Sequence, residues 1–245
     1  GISYWRSQSA ATHQHYMAAL AIAREIGDKP LLAQAVYDAG FAPVPDELDL
    51  PQRMALGSRY FEEALALFGE LGDTAGVARA AWSMAVVAAS QDHVEDARAL
   101  ANESLDAARD AGDRYQTGWS LHLVGITEIA AGDPDAAVPF IRESLQMWVQ
   151  AGDISGIVIL LLDAALLART RGDESCSWML LGAEERLRKE SGAEIGEAPV
   201  EVPSLTPRRR PASDEDQRWF DQGATLSTEA AIELASETAL GDRSR

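Results

Sequence analysis

Apolar and polar residues follow one another along this chain with a helical rhythm, and the rhythm is interrupted at a fixed distance. Between residues 74 and 113, Val77, Ala80, Ala81, Met84, Ala85 and Ala88 recur at three- and four-residue steps, which predicts a first helix (A). Val94, Ala97, Leu100, Ala101, Leu105 and Ala108 mark the inward stripe of a second helix (B), with Asp92 expected as its N-cap. The long helices end in related phrases: Ala-Arg-Glu-Ile-Gly-Asp closing at Asp28, Phe-Gly-Glu-Leu-Gly-Asp at Asp73, Arg-Asp-Ala-Gly-Asp at Asp113 and Val-Gln-Ala-Gly-Asp at Asp153. The intervals are 45, 40 and 40 residues, and a degenerate copy, Glu-Ser-Gly-Ala, arrives 40 residues later at Ala193. A period of this length predicts stacked helical hairpins forming a solenoid.

The units fall at 29–73, 74–113, 114–153 and 154–193. Before them lies a partial unit, 1–28, that holds the tail of a helix A and a complete helix B; the chain therefore reads as beginning partway into a repeat of a longer polypeptide. In the unit 114–153, Gly132 stops the first helix, Asp133 caps the second and Pro134 takes its first position. The unit 154–193 turns at Arg171-Gly172-Asp173-Glu174, so an RGD phrase is here capping chemistry and no adhesion signal. Ala85, Gly125 and Ala165 share one column, and Ala97, Ala137 and Ser177 another; small residues there let paired helices approach closely. The unit 29–73 carries a longer connection, Ala42 to Gly57, with Pro43, Pro45 and Pro51. After Ala193 the periodicity fails. Residues 194–217, with Arg208-Arg209-Arg210 beside Asp214-Glu215-Asp216, read as a linker. Residues 218–245 read as a capping segment in which Trp219 and Phe220 precede a helix that Ser227 caps, expected to dock on the last repeat or into the groove.

Composition narrows the function classes. Hydrophobic residues make up 47% of 245, enough for a continuous core, and alanine and leucine dominate over β-branched residues, which favours helix. The net charge of −18 repels phosphate backbones and argues against direct binding of nucleic acid. One cysteine, Cys176, excludes an internal disulfide. The longest apolar run, Ile157 to Leu162, is too short to span a bilayer, and no membrane association is expected. A soluble, cytoplasmic protein is the expectation.

The hairpin logic is that of tetratricopeptide repeats stretched from 34 to 40 residues. More specifically, the chain resembles the carboxy-terminal helical-repeat domain of bacterial signal-transducing (STAND-type) ATPase regulators, the kind fused to adenylyl cyclase or LuxR-type domains. The likeness is carried by Tyr4-Trp5-Arg6, Phe61-Glu62-Glu63-Ala64-Leu65-Ala66-Leu67-Phe68, Ala151-Gly152-Asp153-Ile154-Ser155-Gly156-Ile157-Val158, Leu180-Leu181-Gly182-Ala183-Glu184 and the closing Trp219-Phe220-Asp221-Gln222-Gly223. It implies an all-α, right-handed solenoid of tetratricopeptide-like hairpins closed by a C-terminal helix, regulating an ATPase, cyclase or transcriptional output on the same polypeptide. Two places depart from the family pattern: Ser7-Gln8-Ser9 where a Gly-Asp turn is common, and the proline-bearing connection 42–57. No Walker A phrase occurs in the chain.

In such a solenoid the A helices line the concave face. The register then directs Gln34, Tyr37 and Phe41 to the groove, followed by Arg79, Trp82 and Val86, by Trp119, His122 and Ile126, and by Ile159, Leu162 and Leu166. This groove is aromatic and apolar with few charges. It lacks the Lys/Arg/Asn set that clamps a peptide carboxylate, and suits an amphipathic helix, another protein segment or an apolar small molecule. The alternative is that the next helix covers the same residues. His13 and His15 point to different sides of a helix and make a poor metal pair, His93 reads as solvent-facing, and Cys176 as a buried inert thiol. No acid, base and nucleophile assemble, so neither an enzyme nor a cofactor is expected. Partners are expected to be other domains of the parent polypeptide, with a self-associating homodimer as the alternative.

Overall fold

The computed structural model describes residues 9–42, 50–192, 210–239 and 241. Eleven α-helices occupy them: α1 (Ser9–Ile26), α2 (Lys29–Gly40), α3 (Leu50–Leu71), α4 (Thr74–Ser90), α5 (Val94–Ala111), α6 (Arg114–Ala130), α7 (Pro134–Ala151), α8 (Ile154–Thr170), α9 (Glu174–Ser191), α10 (Asp214–Ala224) and α11 (Thr228–Leu234). A π-helical turn, Ala235–Ala239, follows, and no strand occurs among the described residues. The expected tail of a helix A before Ser9, residue 193 of the last repeat and residues 194–209 of the expected linker lie outside the described residues.

Capping chemistry sets the period. Asp28, Asp73, Asp113 and Asp153 each accept a hydrogen bond from the amide three residues on, satisfying a donor that the first helical turn leaves open. The residue before each is a left-handed glycine, such as Gly152 at φ 66°, a conformation that costs any residue with a Cβ. From Thr74 onward each A helix runs 17 residues and each B helix 18, joined by three-residue and two-residue links, which gives the 40-residue repeat.

Two local expectations are corrected. Asp92 does not cap α5. It takes the left-handed position, φ 60°, that Gly132 and Gly172 hold in the later repeats, and His93 becomes an N-cap without a side-chain hydrogen bond. The backbone decides this: the Asp92 amide bonds the Ala89 carbonyl and the His93 amide that of Ala88, as Gly132 and Asp133 bond Ile129 and Glu128. The connection expected to run to Gly57 is also shorter, because α3 opens at Leu50; Pro51 falls in its first turn, where a missing amide hydrogen costs nothing. The RGD phrase behaves as capping: Gly172 is left-handed and the Asp173 carboxylate accepts from the Cys176 amide.

Consecutive helices pack antiparallel into hairpins, and the hairpins stack into a tetratricopeptide-like all-α solenoid. Volume is matched across the joints. Phe68 at the end of one B helix fills the space over Gly76 on the next A helix, where an added Cβ would lie 2.2 Å from its ring; Trp148 stands in the same way over Gly156, at 2.5 Å. In the intervening joint the pair is Ala108 and Gln116, the bulk having moved to the A helix. Within hairpins, Phe61 sits over Gly40 and Ile141 over Gly125, whereas Ala85 and Ala101 share the load where neither is large. Two buried serines hold B helices to A helices by the same bond, Ser104 Oγ donating to the Ala78 carbonyl and Ser144 Oγ to that of Gly118, each at 2.8 Å.

The array closes on its own chain. Helix α10 opens at Asp214 on a Ser213 cap, inside the stretch read as linker, and crosses α9 at glycine contacts: a Cβ on Gly182 would lie 2.0 Å from the Phe220 carbonyl oxygen, and one on Gly223 1.9 Å from that of Met179. Trp219, Phe220, Leu226, Ile232 and Leu234 pack against the core of the last repeats, and Ala231 and Ala235 are buried there. Ser227 caps α11 as expected, through the Ala230 amide.

Gly182→Ala is expected to force α9 and α10 apart and to lower stability by about 1–3 kcal/mol, read as a lower thermal midpoint with increased binding of an apolar dye. Asp92→Gly removes the backbone strain of a left-handed non-glycine residue and is expected to stabilise by up to about 1 kcal/mol in denaturant titration.

Candidate functional site

From α4 onward successive A helices touch, α4 against α6 and α6 against α8, whereas no successive pair of the described B helices makes comparable contact. The B helices are spanned instead by long side chains, Arg24 to Glu63 at 3.5 Å and Arg109 to Glu143 at 2.9 Å. The array therefore curves with its A helices on the inner side. Charge is segregated in the same sense. Helix α5 alone carries Glu95, Asp96, Glu103, Asp106 and Asp110, while α2, α4, α6 and α8 together carry Asp38, Glu128 and Asp163 against Lys29, Arg79, Arg114 and Arg169.

The inner face has a polar end, an aromatic centre and an aliphatic end. At the first, Arg79 lies over the rings of Tyr37 and Phe68, 5.7 Å from each centroid, and its Nη2 donates to Gln34 Oε1 at 3.2 Å. Gln34 in turn donates to Asp38 at 2.9 Å. Tyr37 meets Phe41 edge-on at 5.1 Å and its hydroxyl lies 3.4 Å from Ser83 Oγ. Burial pushes the Tyr37 phenol and the Asp38 carboxyl above their ordinary ranges, with hydrogen bonds from Ser83 and Gln34, respectively, opposing it. In the centre, Trp82 Nε1 donates to the Trp119 carbonyl at 3.3 Å, and the two indoles are 6.3 Å apart. Trp119 also meets His122, Tyr115 and Trp148, with centroids 5.5–6.2 Å away. Toward the C-terminal end Ile126, Ile159 and Leu162 are half-buried against the core.

Of the residues expected in the groove, Gln34, Tyr37, Phe41, Arg79, Trp82, Val86, Trp119, His122, Ile126, Ile159 and Leu162 are half-buried, neither sealed nor fully open. Leu166 is the exception: it is buried in the core of the last repeats, because there α8 is covered on more sides. Three residues of the site escaped the sequence reading. Tyr115 is 61% exposed and leans edge-on against Trp148, 5.4 Å away, at the mouth of a 590 Å³ cleft lined also by Arg114, Met147 and Asp153. Trp148 is buried on a B helix, reachable because Gly118 and Gly156 both yield space to it. Asp163 receives His122: Nδ1 and Oδ2 lie 2.5 Å apart, across 41 residues of sequence. A visible signal existed only for Asp163, a charge inside Leu160-Leu161-Leu162-Asp163-Ala164.

A family model for the tetratricopeptide repeat matches residues 77–148. The matched stretch runs from the first turns of α4 to Trp148 near the end of α7, two consecutive hairpins including the aromatic centre of the inner face. No curated protein matches the chain. Tetratricopeptide repeats are in general protein–protein interaction modules.

Remaining chemistry is sparse. Among the described residues no three His, Cys, Asp or Glu side chains converge as a metal set, and no helix is long and apolar enough to cross a membrane. His93 is exposed, as expected. Cys176 is buried, and burial pushes its thiol up to about 12, with the Asp173 carboxylate adding to the effect. A thiol raised so far stays protonated and unreactive across pH 7–9. Ellman's reagent is therefore expected to find no thiol in the folded protein at pH 8 and one equivalent after unfolding in guanidinium.

Proposed function

We propose that this tetratricopeptide-like array is the sensing or interaction module of a bacterial signal-transducing ATPase regulator, working in the cytoplasm and receiving a protein segment or small ligand on its inner face. Residues 1–193 act as the repeat array and 218–245 as its cap. The observation that carries the reading is the continuous half-buried row Trp82, Trp119, His122, Ile126, Ile159 and Leu162, contributed by three successive A helices. Such a row loses water without reorganising the core when a partner covers it, and aromatic residues of this kind dominate binding energy at interfaces. Because each hairpin touches mainly its neighbours, an occupant that bridges A helices changes the curvature of the array, and an attached ATPase or cyclase would be biased through that change.

A second reading, self-association, is favoured by a separate observation: Ile22 and Ile26 on α1 are 56% and 61% exposed, with Leu31 open beside them. Light scattering separates the two. A monomer at high concentration removes self-association, whereas a dimer abolished by Ile22→Glu would establish it.

The regulator reading is tested on the parent coding sequence and then in solution. A Walker A phrase upstream is expected, and an upstream segment without a nucleotide-binding loop would reject it. Titrating that upstream ATPase segment into the array should quench tryptophan fluorescence, and Trp119→Ala should weaken the interaction at least about tenfold, the scale of an interface anchor.

A further inference from the structure

The outer helices carry more acidic than basic residues, yet among the described residues the carboxylate beneath the centre of the inner face has no lysine or arginine partner. Asp163 is 5% exposed, and among the described residues its side chain bonds only His122, with no lysine or arginine within ion-pair distance. An ionised carboxylate only accepts, so His122 Nδ1 carries the hydrogen toward it, and in the neutral ring Nε2 is left as a lone-pair acceptor. Nε2 bonds nothing among the described residues, and the side chain keeps 15% of its surface open. The imidazole stands edge-on to Trp119 at 5.9 Å, and Trp82 follows on the neighbouring A helix.

We propose that His122, Asp163 and Trp119 form a subsite for one lysine or arginine side chain of a protein segment lying along the inner face. The proposal rests on the groove-binding reading above and adds the chemistry of the occupant. The incoming cation donates to His122 Nε2, lies against the indole of Trp119 and offsets the buried charge of Asp163 through the imidazole. A neutral donor would satisfy Nε2 but leave Asp163 as before, and an acidic group would add a second negative charge. Indole faces attract cations, and a field set by a net charge of −18 draws basic segments toward the protein. Arg79, the cation within the row, is turned back to Gln34 and the Tyr37 ring of the preceding hairpin and so does not fill the subsite. The alternative role for the pair is a tie between α6 and α8, which would affect stability alone.

The test uses a random twelve-residue peptide library displayed on phage and selected on the full chain, with binders synthesised and measured by fluorescence anisotropy. Groove binders are those that Trp119→Ala weakens. They are expected to share one lysine or arginine position. Replacing that residue by the uncharged isostere norleucine should weaken binding about tenfold on the wild type, the scale of a desolvated cation–π contact with charge support, and less than about twofold on Asp163→Asn. Asn keeps the shape and can still accept from Nδ1, and the norleucine arm leaves the protein untouched. Groove binders without a basic position, or an equal norleucine loss on both proteins, would overturn the subsite while leaving the groove intact. If no peptide binds the folded wild type, the groove reading and the subsite fall together.

Discussion

The aspartate at the head of each A helix is the constraint on which the array depends. Its carboxylate takes the amide three residues on, and the left-handed glycine before it turns the chain by a fixed amount. Helix lengths are thereby locked at 17 and 18 residues from α4 to α9, so that residues 40 apart occupy equivalent places. Without this register there would be no columns, and without columns no continuous row of side chains along the inner face. A cap of this kind contributes only about 1 kcal/mol to stability, but it decides which residues meet.

Given that register, packing is negotiated pair by pair. Aromatic bulk on one helix meets glycine on the next at Phe68 and Gly76, and again at Trp148 and Gly156, while Ala108 and Gln116 hold the equivalent positions between them. The repeats are thus alike in backbone and unlike in filling. Trp148 shows what this allows. Two glycines make room for an indole that reaches from a B helix to Trp119 and Tyr115 of the inner face, its own Nε1 donating to Ser144. The aromatic centre of the site is in this sense an outgrowth of the core.

The proposed function rests on what the curvature leaves uncovered. Bringing A helices together narrows the inner face and keeps its side chains half-buried, whereas acidic residues spread over the outer helices where hydration is cheap. An inner face poor in charge and rich in indole loses little on desolvation, which suits it to a partner; the outer face is suited to remaining in water. Helices α10 and α11 cover α9, and the π-helical turn after them covers α8 and α9, where a bare hairpin would otherwise show its apolar side.

The sequence by itself determined the period, the helices and the stripe of A-helix residues, because caps, turn residues and apolar spacing act over three or four residues and are written in neighbouring letters. Val77 through Ala88, the Gly-Asp phrases and the Arg171-Gly172-Asp173 turn were legible for that reason. Asp92 was not, since an aspartate suits both a cap and a left-handed position, and only the hydrogen bonds of Asp92 and His93 to the preceding turn chose between them. The pairing of His122 with Asp163, the reach of Trp148 and the burial of Leu166 were decided by tertiary structure alone. Each depends on how far apart two hairpins settle, and that distance is fixed by side-chain volumes summed over a joint.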